Sequence, residues 1–342
     1  MNGSLKKESG TMRYRVFGNL GWTVSEIGFG AWAIGGDMWG PQDDAESIRA
    51  LHRAIDNGVN FIDTAQGYGK GHSEELIGQV LKERRSETLY VATKVPARPG
   101  SPWPIPKNAR PDDFFSGSYI IRQCEQSLKR LGRDTIDVYQ FHTWSSSFNV
   151  GGEWIEAMAK LKQEGKIRAV GASVPDTRPE SVTGALALGT VQAVQVIYNV
   201  FEQFPKWDLF PVAEKLGAGI IVRVPFDEGA LTGKFAESTR FPQGDVRGHY
   251  FRGRNLTAVV RRVKEIEDFK NRHHPDMPLA EYALRFCLSH AAVGTVIPGI
   301  RTAAQADLNT AASDGVLLAP DELDSLEQFA WRKDFWAEEV QA

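Results

Sequence analysis

Four side chains stand out for the chemistry they could do together. Asp63 closes the apolar run VNFID, Tyr68 follows five residues later, Lys94 closes TLYVATK, and His142 closes IDVYQFH. A carboxylate, a phenol, an ammonium and an imidazole form a set suited to carbonyl reduction. Hydride arriving at a carbonyl carbon puts negative charge on oxygen, and a proton must meet that charge in the transition state. A tyrosine phenol can supply the proton. Its ordinary pKa of about 10 is high for donation near neutrality, and a neighbouring ammonium lowers it by favouring the phenolate. Lys94 suits that role, Asp63 would keep a buried Lys94 charged and aimed, and His142 as a neutral N–H donor would orient and polarise the carbonyl oxygen. Taken singly, each has a plainer reading: a turn cap, a surface aromatic, a solvated amine and a core histidine. Their joint placement at or just beyond the ends of three successive β-rich runs argues against all four plain readings at once.

The elements that must position them alternate along the chain. The β-rich runs are EIGFG, VNFID, TLYVATK, IDVYQFH, IRAVGAS, VQAVQVI, GIIVRVP and VGTVIPG. Amphipathic stretches separate them. One follows Asp43 and Asp44 and stops at Gly58, one starts at Ser73, one closes near Gly132, and one runs from Trp154 to Gly165. Eight such units, with no Gly/Pro/Ser-rich linker and no shift in composition, predict an α/β fold of the closed (β/α)₈ TIM barrel type. An open doubly wound sheet would carry G-x-G-x-x-G after its first strand, and GFGAWAIGG lacks that spacing. In a barrel, polar groups at the C-terminal ends of strands face the active site, which is where the four residues fall.

Three segments break the alternation. Residues 12 to 26 read as a small hairpin turning at Asn19 to Gly21 that plugs the barrel floor. Residues 95 to 114, rich in proline, and 232 to 255, rich in glycine and charge, read as long loops over the site. Residues 1 to 11 read as a disordered tail, with Met12 as a possible alternative start, and residues 12 to 342 as a single domain.

The 342 residues carry a formal net charge of −3 with both signs interspersed, which gives no general attraction to nucleic acid or an anionic membrane. No secretory h-region and no continuous apolar run of membrane-spanning length is visible. The two cysteines, Cys124 and Cys287, lie in apolar helical patterns and read as buried free thiols, in keeping with a reducing, cytoplasmic location.

Segment by segment, the chain resembles the aldo-keto reductases. FIDTAQGYG is similar to the family's Asp and Tyr segment, VATKV to its lysine strand and YQFHTW to its histidine strand. VSEIGFGAWAIGG, VQVIYN, PFDEGALTGKF and IPGIRTAAQADLN follow in the family's order, so the likeness runs from about Met12 to Asn309. The resemblance implies NADPH/NADP+ lying extended across the barrel mouth. Gly30, Ala31 and Trp32 would border the nicotinamide beside Asp63, and Ser173 and Gln195 would hold its carboxamide. Arg223 stands where relatives often carry a stacking aromatic, and Val174 where an asparagine often follows the serine. Val224, Pro225, Phe226, Glu228, Gly229, Leu231 and Lys234 would run along the pyrophosphate. Pro298, Gly299, Ile300, Arg301, Gln305 and Asn309 would take the adenosine end. Arg301 at a helix start suits a phosphate monoester, hence NADPH over NADH.

Other features carry less. Trp32, Trp103 and Trp144 are candidates for a substrate pocket, beside Trp39 and Trp331, although single tryptophans usually anchor packing. His273, His274 and Asp276 lack ligand spacing, so no metal site is expected. Two rival functions remain. One is an NADPH-binding regulatory subunit with little turnover, since some family members regulate a partner such as a potassium channel. The other is a barrel enzyme using Lys94 as a Schiff-base nucleophile, which Asp63 opposes by keeping the lysine charged. Small carbonyl or alcohol substrates are the expected partners.

Overall fold

The computed structural model describes residues 12–340, so the expected tail at 1 to 11 lies outside the described residues. Strands β1 (Tyr14–Val16) and β2 (Thr23–Ser25) pair antiparallel, and the turn between them ends at Gly21 with φ 70°, a left-handed value that glycine adopts at little cost. Eight strands follow: β3 (Phe29–Gly30), β4 (Phe61–Asp63), β5 (Tyr90–Val95), β6 (Ile136–Phe141), β7 (Ile167–Ser173), β8 (Ala193–Ile197), β9 (Gly219–Arg223) and β10 (Val293–Val296). Neighbours in the chain are parallel neighbours in the sheet, and parallel bridges Ile27 to Val296 and Gly30 to Gly299 join its two ends. The barrel is therefore closed, as the alternation predicts. At this seam a Cβ on Gly30 would lie 2.6 Å from the Ile297 carbonyl oxygen, so the close approach requires glycine.

The helices form where caps and apolar faces coincide. Asp43 accepts from the Glu46 backbone N–H at 2.7 Å and starts the helix Asp44–Asp56, which buries Ala50, Leu51, Ala54 and Ile55. Gly132, at φ 62°, ends the helix Gly117–Leu131, and Cys124 is buried on its inner face as a free thiol. The two expected long loops hold only short helices, Pro111–Phe114 and Arg247–Tyr250. Among the described residues, no helix is long and apolar enough to cross a membrane.

Inside the barrel, the two-residue period of strands sorts side chains into layers. Phe61, Ala92, Val138, Ala169, Ala193 and Ile221 form an apolar layer near the floor. Phe17, fully buried on the hairpin, closes it from below together with Trp22 and Val24, so the expected plug is present. Two residues further along the same strands, the layer becomes polar: Asp63, Lys94, Gln140 and Gln195. Gly171 belongs to this level on β7, where a Cβ would lie 2.7 Å from Gln140 Cγ; its lack of a side chain makes room for that glutamine.

Candidate active site

Asp63 is the hub of the polar layer. Its Oδ2 accepts from Lys94 Nζ at 2.7 Å, and its Oδ1 accepts from Gln195 Nε2 at 2.7 Å and Gln140 Nε2 at 3.1 Å. Lys94 spends its other two N–H bonds on the Thr64 carbonyl, at 2.8 Å, and the Tyr68 hydroxyl, at 3.1 Å. All three ammonium protons are thus directed, and only 1% of the side chain is exposed. Burial alone would pull the lysine pKa down, but Asp63 and Tyr68 outweigh it and hold it above its ordinary value. Lys94 is a cation at neutral pH, which leaves no free amine for Schiff-base chemistry.

Tyr68 lies just past β4 on a short turn that begins Tyr68–Gly71, where Gly69 and Lys70 have φ of 60° and 55°. Its ring stacks on Trp32 at 6.0 Å and meets the edge of His142 at 5.7 Å. The sequence reading expected Lys94 to bring the phenol below 10. Lys94 does act in that direction, but burial is the larger effect and Asp63 adds to it, so the phenol sits above its ordinary value. Tyr68 is fully protonated near neutrality and holds a proton to give. For His142, burial and then the positive charges of Lys94 and Arg223 depress the pKa to about 3, which makes the imidazole neutral as expected.

Most of the predicted cofactor residues lie on β7, β8 and β9 and in the segments that follow β9 and β10. Ser173 and Gln195 are register partners on β7 and β8. The Gln195 amide nitrogen spends one N–H on Asp63, which leaves its second N–H and its carbonyl oxygen for a ligand. Arg223 ends β9 and donates to Asp176 Oδ1 at 2.6 Å and the Val174 carbonyl at 3.2 Å, while its Nε is buried without a partner. Trp32 Nε1 is buried and unpartnered too. Beyond Arg223, three residues that are not glycine, Val224, Asp227 and Glu228, have φ of 54°, 48° and 55°, followed by Gly229 at 99°. Pro225 and Phe226 lie within this bend; further along the chain Leu231 is buried and Lys234 is exposed.

At the other end, Arg301 precedes Thr302, whose hydroxyl caps the helix Ala303–Thr310 carrying Gln305 and Asn309. Its guanidinium donates to Gln42 Oε1 at 2.7 Å and to the Trp39 and Pro41 carbonyls at 3.2 and 2.8 Å. Every one of these acceptors is neutral. Burial and then the nearby Arg247 lower the Arg301 pKa, while Asp245, which pairs with Arg247 at 2.6 Å, opposes them. Pro298, Gly299 and Ile300 connect β10 to this point along the barrel seam.

The tryptophans divide. Trp103 meets the edge of His142 at 6.0 Å and lines, with the segment from Pro96, a cavity of about 270 Å³ that opens on that histidine. Trp144 is fully buried against Phe141, Phe148 and Trp154, and its indole N–H donates to the Ser181 carbonyl; it packs the core and presents nothing to a pocket. His273 is the last residue of the helix Asn255–His273 and His274 its C-cap; no metal-holding group of His, Cys, Asp and Glu occurs among the described residues. The sequence reading missed Gln140 as a partner of Asp63. Its signal was available, since Gln140 and His142 are two apart on one strand and so face the same side.

Residues 26–330 match the aldo/keto reductase family, and the chain belongs to that family. It is 35% identical over 239 residues to the aldo-keto reductase YhdN of Bacillus subtilis, covering 70% of this chain and 69% of that protein. It is 31% identical over 300 residues to the NADH-specific methylglyoxal reductase of Escherichia coli, covering 85% of this chain and 90% of that protein. Its structure matches the holo form of aldo-keto reductase AKR11C1 from Bacillus halodurans with a TM-score of 0.74 at 27% identity, covering 95% of this chain and 99% of that one. It is therefore an oxidoreductase by family.

Proposed function

We propose that this chain is an NADPH-dependent reductase of aldehydes or ketones, reversible toward the matching alcohols, with Tyr68 as general acid, and that residues 12 to 342 act as one domain. The observation that carries the reading is the hydrogen-bonded line from Asp63 through Lys94 to the Tyr68 hydroxyl, beside a neutral His142 at the edge of an open cavity. Small carbonyl compounds that fit the cavity lined by His142, Trp103 and the segment from Pro96 are the substrates, with Trp32 stacked on Tyr68.

A bound nicotinamide supplies the hydride; the protein supplies the proton and the geometry. His142, uncharged, donates an N–H to the carbonyl oxygen and fixes its direction. Tyr68 gives its proton to that oxygen as negative charge develops. Lys94 then stabilises the phenolate through its existing 3.1 Å contact, and Asp63 keeps Lys94 charged throughout. The buried unpartnered nitrogens of Trp32 and Arg223 support a ligand rich in acceptors at the mouth. The neutral hydrogen-bond partners of Arg301 support a 2′-phosphate there: an incoming dianion would replace carbonyl acceptors with a charged one on a guanidinium that makes no ion pair of its own among the described residues.

A panel of aldehydes, ketones and sugars assayed by nicotinamide absorbance, with NADPH and NADH in parallel, tests this. Turnover faster with NADPH is expected. Tight NADPH binding with no turnover on any member would favour the regulatory reading instead.

A further inference from the structure

The C-terminal segment after residue 330 returns to the barrel mouth and places one cation where no periodic pattern announced it. The Lys333 side chain is 3% exposed; its Nζ lies 2.8 Å from Asp227 Oδ1 and 3.6 Å from Glu202 Oε1. The rings of Phe201, Phe335 and Trp331 surround the same ammonium at 5.2, 5.6 and 5.7 Å. A buried ammonium caged by aromatic rings and bound to a buried carboxylate is fixed in place.

What it fixes is the bend Val224 to Gly229, in which Val224, Asp227 and Glu228 all have φ near +50°. Such values are costly for residues with a Cβ, most of all for a β-branched one, and persist only when neighbours over-determine them. Three ties do so here. Asn199 Nδ2 donates to the Val224 carbonyl at 2.9 Å, Tyr250 donates its hydroxyl to Asp227 Oδ1 at 3.0 Å, and Lys333 grips that same oxygen. Of these ties, only the one through Lys333 comes from the C-terminal segment, which is itself held by the Trp331 N–H on the Phe201 carbonyl at 2.8 Å.

We propose that Lys333 is a positioning residue for cofactor binding: it clamps the strained Val224 to Gly229 bend in the shape that receives the dinucleotide's diphosphate, so that the C-terminal segment controls cofactor affinity. This rests on the proposed reading that a nicotinamide dinucleotide lies along that bend. When the clamp is lost, the bend relaxes to ordinary φ in a fraction of molecules, and the apparent Kd rises as the inverse of the competent fraction. Substrate contacts near Trp103 and proton transfer at Tyr68 do not pass through Lys333.

The test is NADPH titration by fluorescence on wild type, Lys333→Met, Lys333→Arg and the double variant Lys333→Met/Asp227→Asn. The double variant removes the buried carboxylate charge that the single one strands, and it decides the matter if Lys333→Met does not fold. Expected are a Kd for NADPH raised about tenfold or more in both Met variants and partial recovery in Lys333→Arg. A wild-type Kd in a folded Met variant, even with a lowered thermal midpoint, would reduce Lys333 to a packing element and overturn the proposal. If wild type binds neither NADPH nor NADH, the proposed function itself fails, and this inference with it; binding by wild type with no change in the variants refutes only the role of Lys333.

Discussion

Replacing Lys94 with methionine separates two tasks that the residue performs at once. The first is structural. Asp63 is buried and loses the one cation paired with it among the described residues, keeping bonds from Gln140 and Gln195. Breaking one side of a buried pair costs about 3 to 5 kcal/mol, and the two retained glutamine bonds argue for the lower end. The second task is chemical. At 3.1 Å, a unit charge with an effective dielectric of about 20 stabilises the Tyr68 phenolate by roughly 5 kcal/mol. If about half of that is felt when the proton is half transferred, the barrier rises by ~2.5 kcal/mol, which is roughly a 10²-fold fall in kcat. The double variant Lys94→Met/Asp63→Asn removes the stranded charge, so its thermal midpoint should return toward wild type while kcat stays low. The assay is initial rate at pH 7 with saturating cofactor and carbonyl, paired with thermal denaturation of the same samples. A double variant that regains turnover along with stability would show that Lys94 serves only to neutralise Asp63, and the electrostatic argument would fall.

Two further outcomes follow from charges away from the proton donor. Arg301→Ala removes a charge-assisted phosphate contact of about 1.5 to 3 kcal/mol, so NADPH should bind roughly 10- to 150-fold more weakly while NADH changes only a few-fold; equal losses would mean that Arg301 merely anchors the segment at Trp39 to Gln42. Burial, with Asp227 alongside, raises the Glu228 carboxyl to about 8 from an ordinary 4.5. Because the folded-state value is the higher, this stabilisation is complete below about pH 4.5 and is lost as pH rises to about 8, up to ~5 kcal/mol in all. Glu228→Gln should therefore melt higher than wild type at pH 8.5 and show a flatter pH dependence; parallel curves for the two proteins would remove Glu228 as the cause.

The strands and the four polar residues were legible because both follow from short-range pattern. Interior positions repeat every two residues, so Asp63, Lys94 and His142 could be placed at strand ends from sequence alone, and glycines such as Gly58, Gly132 and Gly165 marked helix ends. What depends on long-range contact was not legible. The Gln195 amide turns to Asp63 across 132 residues of sequence, and Arg301 is gripped by a segment more than 250 residues earlier. Trp144 carried no sign that it faces the core. Lys333 sits in a segment without periodicity, so nothing local distinguished it from a solvated lysine. The sign of the Tyr68 shift was misjudged for a related reason, because burial comes from the whole fold whereas Lys94 is a single neighbour.

The central claim is that Tyr68 gives the proton. Single-turnover reduction of an aldehyde by saturating NADPH, followed by loss of nicotinamide absorbance in wild type and Tyr68→Phe, tests it most directly. The account predicts a rate about 10²- to 10⁴-fold lower in the variant, with the Kd for NADPH changed less than about threefold. A Tyr68→Phe enzyme that reduces the aldehyde at a near wild-type rate would contradict it.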